Sequence, residues 1–241
     1  MRVEALSVVL RPRLTVEASD LGIALARAHA RSVWRSFAPV FLVFLALACA
    51  TVEIAPWLPL LLIFWFKPWL DCCLLFALSR AVFGQATGPA DPWRLHASVW
   101  GRQWLRTLLW QRLSPWRAFT QPIFQLEGQR GKPLRQRCKL LLAGQRGKAW
   151  GIALAFLSIE IAFGIGLLAA LSWFKLEGNP LNLSGSLSAM KNSWGLLLAC
   201  GYGAIVLAVE PFYVAAGLTL YLNRRVELEA WDIEQEFRRA F

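Results

Sequence analysis

Apolar residues gather along this chain in four runs, and most of the charged residues lie between them. The runs extend over Phe37–Ile54, Trp57–Phe83, Ala149–Phe174 and Trp194–Leu222. A helix needs roughly 20 apolar residues to cross a bilayer core of about 30 Å, so all four are candidate spans. Only the Glu53–Pro56 turn separates the first two, which predicts an antiparallel hairpin. Trp34, Trp57, Trp150, Trp173 and Trp194 fall at the ends of these runs, where an amphipathic ring prefers the headgroup level.

The stretches between the spans carry helical patterns of their own. After a looped lead-in at Arg11-Pro12-Arg13, Ser19 or Asp20 offers an N-cap for a helix through Phe37. Arg27, Arg31 and Arg35 recur every four residues and share a face of it. Such a helix lies either on an anionic leaflet or against its own protein. Asp91-Pro92 predicts the start of a second helix, Trp93 to Leu113. Trp93, Ala97, Trp100, Trp104 and Leu108 form one stripe of it, with Arg94, Arg102 and Arg106 on another flank, as in a basic interfacial helix. The following stretch, Leu113 to Phe124, holds Pro115 and Pro122 among Trp116, Phe119 and Phe124. It reads as a segment packed on the protein or on a partner. Gly128-Gln129-Arg130-Gly131-Lys132 then recurs as Gly144-Gln145-Arg146-Gly147-Lys148. Pro133 to Ala143 between the copies predicts a short helix stopped by Gly144. Asn223 to Phe241 reads as a terminal helix with a Val226, Ala230, Ile233, Phe237 stripe. Its Glu227, Glu229, Asp232, Glu234 and Glu236 suit docking on the basic loop.

Composition fixes the class. With 57% hydrophobic and 17% charged residues, the chain is too apolar for a soluble domain, where about 45–50% and about 25% are usual. The net charge of +11 would suit nucleic acid, but its distribution points elsewhere. Residues 1–36, 84–148 and 223–241 together carry 22 Lys and Arg, while 53–56 and 175–193 carry 2, Lys175 and Lys191. The positive-inside rule places the first group in the cytoplasm. The expected fold is therefore an all-α integral membrane protein with about four transmembrane helices, both termini inside, and amphipathic cytoplasmic helices. Its parts are a lead-in and amphipathic helix at 1–36, a hairpin at 37–83, a basic loop at 84–148, a second pair at 149–222 and a terminal helix at 223–241. The first apolar run starts too far from Met1 for a secretory signal. The five cysteines have no CxxC spacing and read as small core residues, so no metal is expected.

Lys67, Asp71, Glu160 and Glu210 interrupt the spans. Charges at that depth are costly and usually face the bundle interior. Lys67 and Asp71 are four residues apart and suited to pair on one helix face, or Lys67 pairs with Glu160 or Glu210. One lysine cannot neutralise three carboxylates, so convergence of all four predicts a retained proton. The cluster is a proton or cation relay, a polar pocket, or a buried device that fixes helix register. Arg94, Arg102, Arg106, Arg130, Lys132, Arg146 and Lys148 are the candidates for lipid headgroups. Neither glycine-rich copy satisfies the GxxxxGK[ST] phosphate loop, and no catalytic triad or zinc motif occurs, so no catalytic residue and no cofactor are expected.

Several short motifs bear a resemblance. Leu10-Arg11-Pro12-Arg13 with Glu17-Ala18-Ser19-Asp20-Leu21-Gly22, and Lys67-Pro68-Trp69-Leu70-Asp71 with Leu78-Ser79-Arg80-Ala81-Val82-Phe83-Gly84, resemble a group of uncharacterised proteobacterial inner-membrane proteins. So do Ser114-Pro115-Trp116-Arg117 with Gln125-Leu126-Glu127-Gly128, and Tyr221-Leu222-Asn223-Arg224-Arg225 with Glu229-Ala230-Trp231-Asp232-Ile233-Glu234. The last stretch is also similar to the end of glycerophosphodiester phosphodiesterase-type membrane domains. The catalytic barrel of those enzymes is absent, so their activity does not carry over, and four spans are fewer than the larger domains have. The resemblance implies a multi-pass protein of the bacterial inner membrane. The expectation is a non-catalytic accessory or assembly subunit that contacts the bilayer, anionic phospholipid and a membrane or cytoplasmic protein partner, with no nucleic acid bound. A small transporter using Lys67, Asp71, Glu160 and Glu210 is the alternative, and a membrane-embedded enzyme comes third.

Overall fold

The structure, a computed structural model, describes residues 11–100, 104–109, 112, 114–176 and 187–229. Every regular element among them is helical: α1 Thr15–Ala28, α2 Ala30–Cys49, α3 Leu58–Val82, α4 Asp91–Arg94, α5 His96–Val99, α6 Trp104–Leu109, α7 Arg117–Leu126, α8 Gly131–Leu142, α9 Arg146–Leu176 and α10 Leu187–Glu229. Four of these, α2 with its 3-10 extension to Glu53, α3, α9 and α10, are long and apolar enough to cross a membrane.

The predicted hairpin is present. α2 and α3 pack side by side across the short turn that follows Glu53. α2 begins at Ala30, seven residues before the apolar run does, because the amphipathic stretch before Phe37 is helical too. The stretch at 57–83 is one unbroken helix: Pro68 sits inside α3 and does not divide it. Gln121 and Gln125, one turn apart on α7, donate to the carbonyls of Pro68 and Cys72 at 3.3 and 2.8 Å.

The lead-in helix is not capped at Ser19 or Asp20. α1 starts at Thr15, and the Ser19 hydroxyl donates back to the Thr15 carbonyl at 2.9 Å. A single non-helical residue, His29, separates α1 from α2. Of the two readings for this helix, burial against its own protein is the one observed. Ala18, Gly22, Leu25 and Ala26 are buried, and α1 runs antiparallel to the second half of α10. A Cβ on Gly22 would lie 2.6 Å from the Ala215 carbonyl oxygen, so only glycine permits this approach. Asn223 closes the far end: its side-chain carbonyl accepts from the Arg13 N–H at 2.8 Å and its amide donates to the Arg13 carbonyl at 3.0 Å. Arg27, Arg31 and Arg35 remain exposed on the opposite side.

Two boundaries differ from the sequence pattern. The expected Trp93–Leu113 helix is broken into α4, α5 and α6, because Trp100 turns inward. Its ring stacks on Trp69 of α3 with centroids 4.9 Å apart, and its indole N–H donates to the Trp69 carbonyl at 3.1 Å. A tertiary contact of this kind overrides a local amphipathic pattern. Leu222 likewise ends nothing: α10 runs through it to Glu229, so the fourth span and the start of the terminal helix are one rod of 43 residues. At 1.5 Å per residue it is about 64 Å long, twice a bilayer core. Its second half is clothed by α1, α7 and α8. Residues 230–241, with most of the expected acidic tail, lie outside the described residues. The part that is described does dock on the basic loop. Arg137 of α8 pairs with Glu127 at 3.0 Å and with Glu229, the Tyr221 hydroxyl donates to Glu127 at 2.8 Å, and Arg224 donates to the Ala143 carbonyl at 3.0 Å. The hydrogen bonds that Arg137 donates to Glu127 and Glu229, working against partial burial, hold its guanidinium above its ordinary pKa.

α8 falls where Pro133–Ala143 predicted it, starting two residues earlier. The two glycine-rich copies differ in shape. Gly128, Gly131 and Gly144 adopt positive φ, whereas Gly147 lies inside α9.

Candidate functional site

The four ionisable residues of the spans come together, and two arginines join them. Lys67 on α3 is 4% exposed and makes two ion pairs of 2.7 Å, one with Glu160 of α9 and one with Glu210 of α10. Asp71, one turn further along α3, has no exposed surface. It does not pair with Lys67. Its partner is Arg117, the first residue of α7, whose Nε lies 3.0 Å from Oδ2. The same guanidinium reaches Glu210 through Nη2 at 2.6 Å. Glu160 is completed by the Tyr202 hydroxyl, which donates to it at 2.6 Å.

The reason Lys67 misses Asp71 is geometric. Residues four apart on a helix are neighbours, but each side chain turns toward the element packed on its own side. α9 and the facing stretch of α10 hold carboxylates toward Lys67, and α7 holds a cation toward Asp71. Glu210 is the hinge of the set, because it accepts from both cations. Arg117 keeps its charge firmly. Burial works against it, but Asp71, Tyr213 and Glu210 outweigh burial and hold its pKa above the ordinary arginine value.

Arg117 is invisible to hydropathy. It lies in the basic loop, where it reads as a topology charge. Its neighbours Trp116, Ala118 and Phe119 are the available clue: an arginine inside a segment that must be buried has to be buried with it. α7 presents Ala118, Phe119, Gln121, Pro122, Ile123 and Phe124 to the interior. A Cβ on Gly217 of α10 would lie 2.5 Å from the Ala118 carbonyl oxygen. The described part of the stretch, Ser114 to Phe124, is thus packed on its own protein, among α3, α9 and α10, while Leu113 lies outside the described residues.

The network has a definite level in the bundle. A Cβ on Gly195 would lie 2.6 Å from the Pro56 carbonyl oxygen, so the Trp57 and Trp194 ends of α3 and α10 are adjacent. Lys67 lies ten residues beyond Trp57, Glu210 sixteen beyond Trp194, and Glu160 thirteen before Trp173. These are about 15, 24 and 20 Å along their helices.

Beside the network is a cavity of about 250 Å³. Lys67, Arg117, Glu160 and Glu210 form its floor, Phe64, Trp150, Leu154 and Leu157 its apolar rim, and Arg112 its remaining cation. Arg112 lies 3.3 Å above the centre of the Phe64 ring. Arg117, not Arg112, eases the charge problem posed by the sequence: two paired cations, Lys67 and Arg117, face three carboxylates where the sequence offered one.

The expected headgroup residues lie elsewhere. Arg94, Arg130, Lys132, Arg146 and Lys148 are exposed and none lines the cavity. The Arg146 guanidinium sits 5.8 Å from the Trp116 ring centre. Arg102 lies outside the described residues, as does the side chain of Arg106. All five cysteines are unbridged.

No protein-family model, no curated protein and no solved structure matches the chain.

Proposed function

We propose that this chain is a non-catalytic, multi-pass subunit of the bacterial inner membrane, with both termini in the cytoplasm, that assembles with a protein partner and binds anionic phospholipid. One observation carries the reading: the intramembrane charges are spent on one another. Lys67, Asp71, Glu160, Glu210 and Arg117 form a single chain of contacts that ties α3, α7, α9 and α10 together. A lock of this kind suits a scaffold. Buried ionic groups are often better at specifying one arrangement than at adding stability. α9 supports the partner reading, because it packs mainly on α10 and leaves Ile161, Phe163, Ile165 and Leu168 more than half exposed.

The test is purification of the full chain in mild detergent with identification of what accompanies it. The expected result is a stoichiometric membrane or cytoplasmic protein, lost together with the lock in Lys67→Met. Recovery of a clean monomer from native membranes, free of partner and phospholipid, would overturn the reading.

The transporter reading has an observation of its own, since Lys67 and Glu160 lie on the wall of a cavity. Proteoliposomes carrying a trapped pH dye separate the two. A subunit leaves an imposed pH gradient intact. A proton-coupled carrier dissipates it, and Glu160→Gln abolishes that flux without disturbing assembly.

A further inference from the structure

The cavity beside the charge network has an unusual lining. Its carboxylates are taken: Glu160 accepts from Lys67 and Tyr202, and Glu210 from Lys67 and Arg117. Its third cation, Arg112, has no carboxylate within 4.0 Å and no hydrogen-bond acceptor among the described residues, and its contact is the Phe64 ring. Arg112 is half-buried, and a guanidinium's five donors are costly to desolvate even in part without acceptors. Burial and the like charge of Arg117 lower the Arg112 pKa from its ordinary value, while Glu210 and Glu160 act too weakly to restore it. This is the environment of a cation without its anion.

The rim identifies the class of anion. Phe64, Trp150, Leu154 and Leu157 are 40–45% exposed and lie on apolar faces of α3 and α9 that are turned away from the bundle. A soluble anion would have to cross that rim, whereas an amphiphile would cover it with its chain. Ser114 lines the same cavity.

We infer that this cavity holds the phosphate headgroup of one anionic phospholipid, with Arg112 as its principal ligand and the acyl chain lying over Phe64, Trp150, Leu154 and Leu157. The inference rests on the lipid-binding part of the reading above and moves the specific site away from the exposed basic residues. It gives the Arg112–Arg117 turn a second purpose, with Arg117 closing the protein's own network and Arg112 receiving a molecule from outside it.

The experiment is native mass spectrometry of the full chain released from nanodiscs of phosphatidylcholine containing one-tenth phosphatidylglycerol. One retained phosphatidylglycerol per chain is expected for the wild type. Arg112→Gln should retain it about tenfold less, as removing one charge-assisted contact predicts. Arg112→Lys should recover part of it, and Arg130→Gln with Lys132→Gln should not alter it. Leu157→Trp, which fills the rim and leaves every charge in place, should also lose the lipid. It therefore serves as the second variant if Arg112→Gln fails to fold. Retention by Arg112→Gln and Leu157→Trp at the wild-type level overturns the site. If retention is instead abolished by the Arg130 and Lys132 changes, the site fails but lipid binding stands. Absence of any retained anionic lipid in the wild type overturns both. Equal occupancy by inorganic phosphate in lipid-free micelles overturns the lipid assignment.

Discussion

Lys67 decides the fate of two carboxylates at once. Removing it leaves Glu160 with Tyr202 and Glu210 with Arg117, each short of a cation in a setting where an uncompensated charge is costly. Lys67→Met should therefore destabilise the bundle by about 3–5 kcal/mol, the usual cost of breaking a buried pair from one side. Adding Glu160→Gln should recover part of that loss, because the double change removes charge of both signs. Unfolding in mixed micelles measures the cycle, and strict additivity of the two changes would show that the pair is not coupled. Glycines give a second, uncharged test. Gly217→Ala drives a methyl against the backbone of α7 and should cost about 1–3 kcal/mol as overpacking does, while Gly151→Ala meets open space and should be near neutral or slightly favourable. A melting series that fails to separate the two positions would refute the close approach of α7 to α10. The candidate site was legible in the sequence only in part. Four charges inside apolar runs announce themselves by hydropathy, which is why Lys67, Asp71, Glu160 and Glu210 could be named. Arg117 and Arg112 could not, because a basic residue in a basic loop looks like every other one until the loop is seen to fold inward.

At the scale of elements, periodicity performed where burial is one-sided or continuous and failed where a long-range contact intervened. α3, α9 and the short α8 sit close to their predicted positions, since each is set by local apolar content or by a glycine stop. The Trp93–Leu113 pattern is locally helical, but Trp100 gains more from stacking on Trp69 than from continuing the helix. The sequence likewise gives no hint that α10 passes through the predicted boundary at Leu222. The change there is from a candidate span to apolar residues covered by α1, and hydropathy reads the two alike. α8 is held to α10 chiefly through Arg137, which bridges Glu127 and Glu229 while remaining 26% exposed. Exposed ion pairs contribute little singly and are screened by salt. Arg137→Ala should therefore leave global unfolding nearly unchanged but open α8 to trypsin at Arg135 and Lys139, and high salt should do the same to the wild type. Cleavage rates that ignore both the substitution and the salt would mean that apolar contacts of Leu134, Leu141 and Leu142 alone hold α8 in place.

The whole molecule is two structures end to end on one rod. The first half of α10 belongs to a bundle with α2, α3 and α9, and the second half is wrapped by α1, α7 and α8. If α10 enters the bilayer at Trp194, a core of about 30 Å is crossed in about 20 residues, near Val214. The buried stretch from Ala215 to Val226 then stands on the side that carries the basic residues. On that placement the described basic residues of the loop and most of the short helices would share one side, from which Arg117 reaches the charge network. An orientation follows as a prediction. A fluorescent protein that matures only in the cytoplasm should be bright when fused after Phe241, and a phosphatase active only outside should work when inserted between Lys175 and Lys191. Charge should be the cause, so adding four lysines beside Lys175 and Lys191 should lower phosphatase activity by weakening the asymmetry. A bright cytoplasmic reporter at both positions would require an even number of crossings between them. In that case α10, the one long helix between the two positions, does not cross, and the predicted topology fails.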